Sequence, residues 1–169
     1  MTPELHRPLR WGLVGASGRH ERVVATAAEC AALARRFGIL AIASLEAELA
    51  LRPDGDGAIR AEGRLSAEVT QACVVSLEPV AQQVSAPVSL RFLPPGAAPD
   101  DDPESPDEIE TDGDVLDLGE AVAEQLALAL DPYPRRPDAV LPAEATDGPE
   151  PAPPPAPSPF AGLARLRRG

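Results

Sequence analysis

The chain has 169 residues, 21 prolines, 3 % aromatic residues and a formal net charge of −12, which fits one modest domain with long, poorly packed tails. No apolar run reaches the roughly 18 residues that span a bilayer, and the N-terminus MTPELHRPLRW lacks the basic-then-apolar order of a signal peptide. The expectation is a soluble, cytoplasmic protein without a membrane partner.

The charge is local. Twelve acids lie between residues 100 and 124 with no arginine among them, which leaves 15 acids against the 15 arginines elsewhere. Contact with phosphate needs positive charge, so the acidic block argues against a nucleic-acid groove there and leaves the arginines near both ends free for RNA. There is no lysine and no asparagine, a pattern that reads as coding bias. Cys30 and Cys73 are far apart and read as two small buried side chains of a reduced compartment.

Taken in chain order, Pro8 to Val14 and Arg22 to Ala25 read as short strands of a hairpin, with Gly15 to Gly18 between them as the turn. Thr26 and Glu29 have capping-box spacing before the alanine- and leucine-rich run Ala27 to Phe37, and Gly38 stands where a helix would stop. Ile39 to Leu51 is apolar and partly alternating and reads as a strand, with a continuation of the helix as the alternative for its first residues. Asp54 to Gly57 supplies turn chemistry before a second alternating run, Ala58 to Thr70, so a long hairpin is expected. A further strand pair is expected over Cys73 to Val84 and Val88 to Phe92, with Pro87 between them.

The acidic span, 97–114, has too few apolar residues to fold alone and reads as a flexible excursion. The next helix is strongly signalled. Asp117 is its N-cap with Glu120 three residues later, and Leu118, Val122, Leu126, Ala129 and Leu130 share one face. Beyond Asp131, Pro132 and Pro134 fix an extended exit that presents Tyr133, Arg135 and Arg136. Residues 143–157 form a Pro/Ala-rich linker, and residues 158–169 a short basic amphipathic motif with Phe160, Leu163, Arg165, Arg167 and Arg168 as contact residues.

These elements give an α+β fold. An antiparallel sheet of about five or six strands, open or barrel-like, carries two principal helices in residues 1–142 and is followed by a disordered Pro-rich linker. Catalytic material is scarce. His6 and His20 are the two histidines, and neither has a glycine-flanked serine or a Cys partner in a triad-like pattern. Ser76 stands where a second thiolate would complete a zinc half-site with Cys73, and the DGDG turn lacks the later glutamate of a calcium loop. The GASG segment has no P-loop lysine. The expectation is a non-enzyme without cofactor, metal or small-molecule substrate.

Three stretches carry a family resemblance: VTQACVVSLEPV at 69–80, DLGEAVAEQLALALDPYPRRP at 117–137 and SPFAGLARLRRG at 158–169. In sequence, order and separation they resemble the YceD family, linked to accumulation of large-subunit ribosomal RNA in bacteria; the first third is similar chiefly to its alphaproteobacterial branch. Many relatives carry a Cys-x-x-Cys pair where this chain has Cys73 and Ser76, so a zinc or thiol function does not carry over. The resemblance implies a non-catalytic factor for synthesis, processing or stability of large-subunit ribosomal RNA. Its expected partner is precursor RNA or a large-subunit ribosomal protein. The alternative is an acidic adaptor or chaperone for a basic ribosomal protein, with no RNA contact.

Overall fold

Strand β1 (Pro8–Arg10) and a 3-10 turn at Trp11–Leu13 open the fold, and β2 (Arg19–Val24), α1 (Ala27–Phe37), β3 (Ala41–Pro53), β4 (Ile59–Ala72) and β5 (Pro79–Leu93) follow. Then come β6 (Asp107–Glu110), β7 (Val115–Asp117) and α2 (Leu118–Ala129). The computed structural model describes residues 3–99, 106–111 and 113–140; the Pro/Ala-rich stretch and the C-terminal motif lie outside them.

Five strands form one sheet in the order β2-β3-β4-β5-β6, and β1 pairs with β7 in a separate two-stranded sheet. The α+β class holds, with an open sheet. Pairing is antiparallel except between β5 and β6, which run parallel through Leu90–Asp107 to Leu93–Glu110. The inner face is apolar at alternate positions, with Leu45, Ala47, Leu49 and Leu51 of β3 and Ile59, Ala61, Leu65, Ala67 and Val69 of β4 buried against Leu33 of α1 and Val122 and Leu126 of α2. At Gly63 the strands come so close that a Cβ would lie 1.8 Å from the Glu48 carbonyl oxygen, so only glycine fits that crossing.

Both helices start as their caps dictate. Thr26 Oγ1 accepts from Glu29 N at 3.3 Å and Glu29 Oε2 accepts from Thr26 N at 2.7 Å, a complete capping box. Gly38 ends α1 with φ 67, which rules out the helical continuation through Ile39. Asp117 Oδ1 accepts from Gly119 N and Glu120 N at 3.1 and 3.3 Å. Glu120 does not answer its cap; it pairs with Arg36 of α1 at 2.6 Å.

Three expectations are corrected. The N-terminal hairpin does not form, because β1 pairs with β7, Trp11 N donates to Asp114 O at 2.7 Å, and β2 pairs with β3 instead. The predicted strand pair around Pro87 is a single 15-residue strand, with residues 73–78 as the turn before it. Pro87 sits opposite Arg64 of β4 and β6 pairs only from Leu90 onward, so the proline nitrogen faces a side that needs no donor. The acidic span also contributes to the fold: Arg91 pairs with Glu108 of β6 and with Asp54 and Asp56 of the β3–β4 turn, while Gln125 Nε2 donates to Asp107 at 3.0 Å. Those ion pairs hold residues that, read alone, have too little apolar surface to fold.

Candidate interaction site

Chemistry-bearing residues meet where the turn after β4 packs against the exit from α2. The turn closes through Cys73 N to Glu78 O at 2.8 Å and Leu77 N to Cys73 O at 2.9 Å. The exit is tied down by Asp131, whose carbonyl accepts from Gln71 Nε2 at 3.0 Å and whose carboxylate accepts from Gln82 Nε2 at 3.3 Å and from Tyr133 N at 2.9 Å. Val74 N then donates to Pro134 O at 2.9 Å. Two prolines restrict the exit and four bonds fix its direction.

This geometry sorts the predicted residues. Tyr133 is 72 % exposed. Arg135 is exposed and makes no ion pair among the described residues. Arg136 is not presented outward; it is half-buried and bridges Glu78 at 3.2 Å and Asp138 at 2.8 Å. Phe160, Leu163, Arg165, Arg167 and Arg168 lie outside the described residues. Sequence reading missed Val74 and Leu77, 45 % and 77 % exposed, because it continued a strand through them; Ser76 and Pro79 were the turn signals available.

Cys73 is buried beneath the turn. Its sulfur accepts from the Ser76 backbone N–H at 3.4 Å. The Ser76 hydroxyl above all, then the backbone N–H groups of Ser76, Arg136 and Val75, push the thiol down from 9.0 to about 6, since hydrogen bonds to the charged form favour it. A folded pKa below the unfolded one makes this thiolate stabilising above pH 9, with the contribution lost as pH falls through about 6. The ultraviolet thiolate absorbance of native protein, taken as a difference from Cys73→Ser, is expected to titrate near pH 6, and Ser76→Ala to raise that midpoint. A native midpoint near 9 would contradict the cage.

The other motifs resolve into structure. Asp54 and Asp56 of the DGDG turn pair with Arg60 and Arg91. His6 Nδ1 lies 2.5 Å from Asp117 Oδ2, at the base of α2, and His20 is exposed on β2.

The family comparison bears on this same corner. A family model described as Large ribosomal RNA subunit accumulation protein YceD matches residues 61–167, a span that contains β4 from Ala61 onward, the Cys73 turn, β5, α2 and the exit. The chain belongs to the YceD family. No curated protein and no solved structure matches it. The family description is that of an accumulation protein, not of an enzyme, and supports a role in ribosome biogenesis in the broad sense. Ser76 offers Cys73 a hydroxyl, and among the described residues no three His, Cys, Asp or Glu side chains are grouped to hold a metal. One thiolate and one hydroxyl do not make the tetrahedral donor set of a structural zinc site. Among the described residues no helix is long and apolar enough to cross a membrane.

Proposed function

We propose that the chain is a non-catalytic ribosome-biogenesis factor of the cytoplasm that supports synthesis, processing or stability of large-subunit ribosomal RNA. It acts by binding precursor RNA or an assembling large-subunit protein, through the corner built from residues 73–78 and 131–138. The C-terminal motif, with Phe160, Leu163, Arg165, Arg167 and Arg168, is a second contact at the end of the 143–157 linker.

The observation that carries this reading is convergence. Two stretches that bear the family likeness, 69–80 and 117–137, are separate in sequence but meet through Gln71–Asp131, Val74–Pro134 and Glu78–Arg136. Packing explains Leu118, Val122 and Leu126, all buried, but it does not explain Tyr133 or Arg135, which are rigidly placed and exposed. Such residues are the ones expected to meet a partner.

The test is replacement of the gene by variants, followed by the ratio of large- to small-subunit ribosomal RNA and the profile of assembly particles. Deletion of the gene is expected to lower the ratio. Tyr133→Ala with Arg135→Ala, and separately arginine-to-alanine changes at 165, 167 and 168, are each expected to reproduce part of that loss without lowering the protein level. An unchanged ratio in the gene deletion would overturn the proposal.

A further inference from the structure

We infer that Val74, Leu77 and Tyr133 form a docking surface for a basic protein, which seats an apolar side chain on them. The inference rests on the role proposed above and names the partner class for the same corner.

Leu77 carries the first observation. Among the described residues it is the sole non-glycine residue with positive φ, at 61°, and its side chain is 77 % exposed. A left-handed backbone is unfavourable for leucine and free of penalty for glycine. The turn holds the strained conformation through the Leu77–Cys73 and Cys73–Glu78 backbone bonds, yet the exposed side chain gives almost no core contact in return. A strained residue whose side chain does nothing within the fold points to use outside it.

The second observation is the company Leu77 keeps. Val74 is on the same turn, and its N–H is bonded to the carbonyl of Pro134, next to Tyr133. Three exposed apolar side chains therefore project from backbone already fixed by hydrogen bonds. A partner would not have to order this corner, which removes one of the usual costs of association.

Charge decides between the two macromolecular classes. Glu78, Asp131 and Asp138 stand beside Arg135 and Arg136, and Arg136 already bridges two of the three acids. The corner sets three acids against two arginines, so it has no surplus of positive charge for a phosphate backbone, and the acids that give the chain its net −12 lie between residues 100 and 124. That field opposes the approach of RNA and steers a basic protein inward. An apolar anchor flanked by cationic side chains matches the aliphatic and aromatic centre and the three neighbouring acids, of which Glu78 and Asp138 share Arg136 and Asp131 makes no ion pair among the described residues.

The experiment titrates the full-length chain with individually purified basic proteins from large ribosomal subunits, freed of RNA, and in parallel with deproteinised precursor large-subunit RNA. At least one basic protein is expected to bind, with an association rate that falls as salt rises. Leu77→Gly is expected to weaken that binding tenfold or more while the melting temperature stays equal or rises, because glycine suits the turn. Tyr133→Ala is expected to weaken it as well, and Leu13→Ala, which trims an exposed leucine elsewhere (54 % exposed), to leave it unchanged. Equal affinity of wild type and Leu77→Gly would overturn the inference, as would Leu77-dependent binding of RNA with no basic protein bound. If no basic protein binds but gene deletion still lowers large-subunit RNA, the docking surface fails and the biogenesis role stands. If Leu77-dependent protein binding persists while that RNA is indifferent to the deletion, the role fails and the surface stands.

Discussion

Gly119→Ala is expected to destabilise the protein by about 3 kcal/mol, although alanine ordinarily stabilises a helix relative to glycine by about 1 kcal/mol. The reversal comes from contact. A Cβ at residue 119 would lie 2.4 Å from the Leu5 carbonyl oxygen and 2.9 Å from the Arg7 nitrogen, and both are backbone atoms that cannot swing aside. Leu118 N donates to Arg7 O at 3.1 Å and Arg7 N donates to Asp117 Oδ1 at 2.9 Å, so moving the Leu5–Arg7 segment away would break the bonds that join it to α2. The segment also contributes Leu5, which is fully buried. Urea unfolding of Gly119→Ala should show a lower midpoint with an unchanged slope. Gly12→Ala, where a Cβ would meet nothing within 4 Å, should stay within about 0.5 kcal/mol of wild type.

This contact has a consequence for the interaction corner. The start of α2 is held by Leu5 and Arg7, and its end continues into Asp131, which sets the direction of Tyr133 through the Gln71 and Gln82 bonds. Buried Leu126 fixes the helix between those two ends. A change at Gly119 that tilts α2 is therefore transmitted to the exit, so loss of partner binding by such a variant is not a sign that its N-terminus touches the partner. Leu77→Gly avoids this ambiguity, because residue 77 carries no part of the core.

Short-range physics made much of the fold readable. Thr26 with Glu29, Gly38, Asp117 and the DGDG turn each act within a few residues, and each boundary they predict is observed. The alternation of β3 and β4 was legible for the same reason, since a half-buried strand declares its inner face every second residue. What could not be read depends on distant partners. Pro87 looks like a break until β5 is known to be unpaired beside it. Asp107 to Glu110 looks like a solvated loop until Arg91 and Gln125 are brought opposite. At the candidate site the same division holds: Pro132 and Pro134 announced a stiff exit presenting Tyr133, whereas the bridge that turns Arg136 inward requires Glu78, and the left-handed Leu77 has no sequence signature at all.

Arg7→Met is expected to cost about 2 kcal/mol at neutral pH and to remove a specific part of the acid response. The Arg7 guanidinium donates to Glu29 Oε1 and Oε2 at 2.7 and 2.9 Å, to Val24 O at 2.8 Å and to His6 O at 2.8 Å, and so clips the N-terminal segment to the start of α1. The Arg7 hydrogen bonds, with help from the Thr26 backbone and hydroxyl against the opposing effect of burial, push the Glu29 carboxyl down from 4.5 to about 2. For an acid whose folded pKa is depressed, the unfolded state takes up protons first as pH falls. The stability from Glu29 is therefore complete above about pH 4.5 and lost on the way to about pH 2. In Arg7→Met that stretch of the curve should flatten, because Glu29 no longer has the partner that holds its proton off, while the Thr26 cap preserves a smaller remainder. Urea midpoints measured across this pH range decide the matter: parallel curves for wild type and variant would show that the Arg7–Glu29 pair contributes nothing to the acid response, and converging curves that it is the main proton-linked tie between the N-terminal segment and α1.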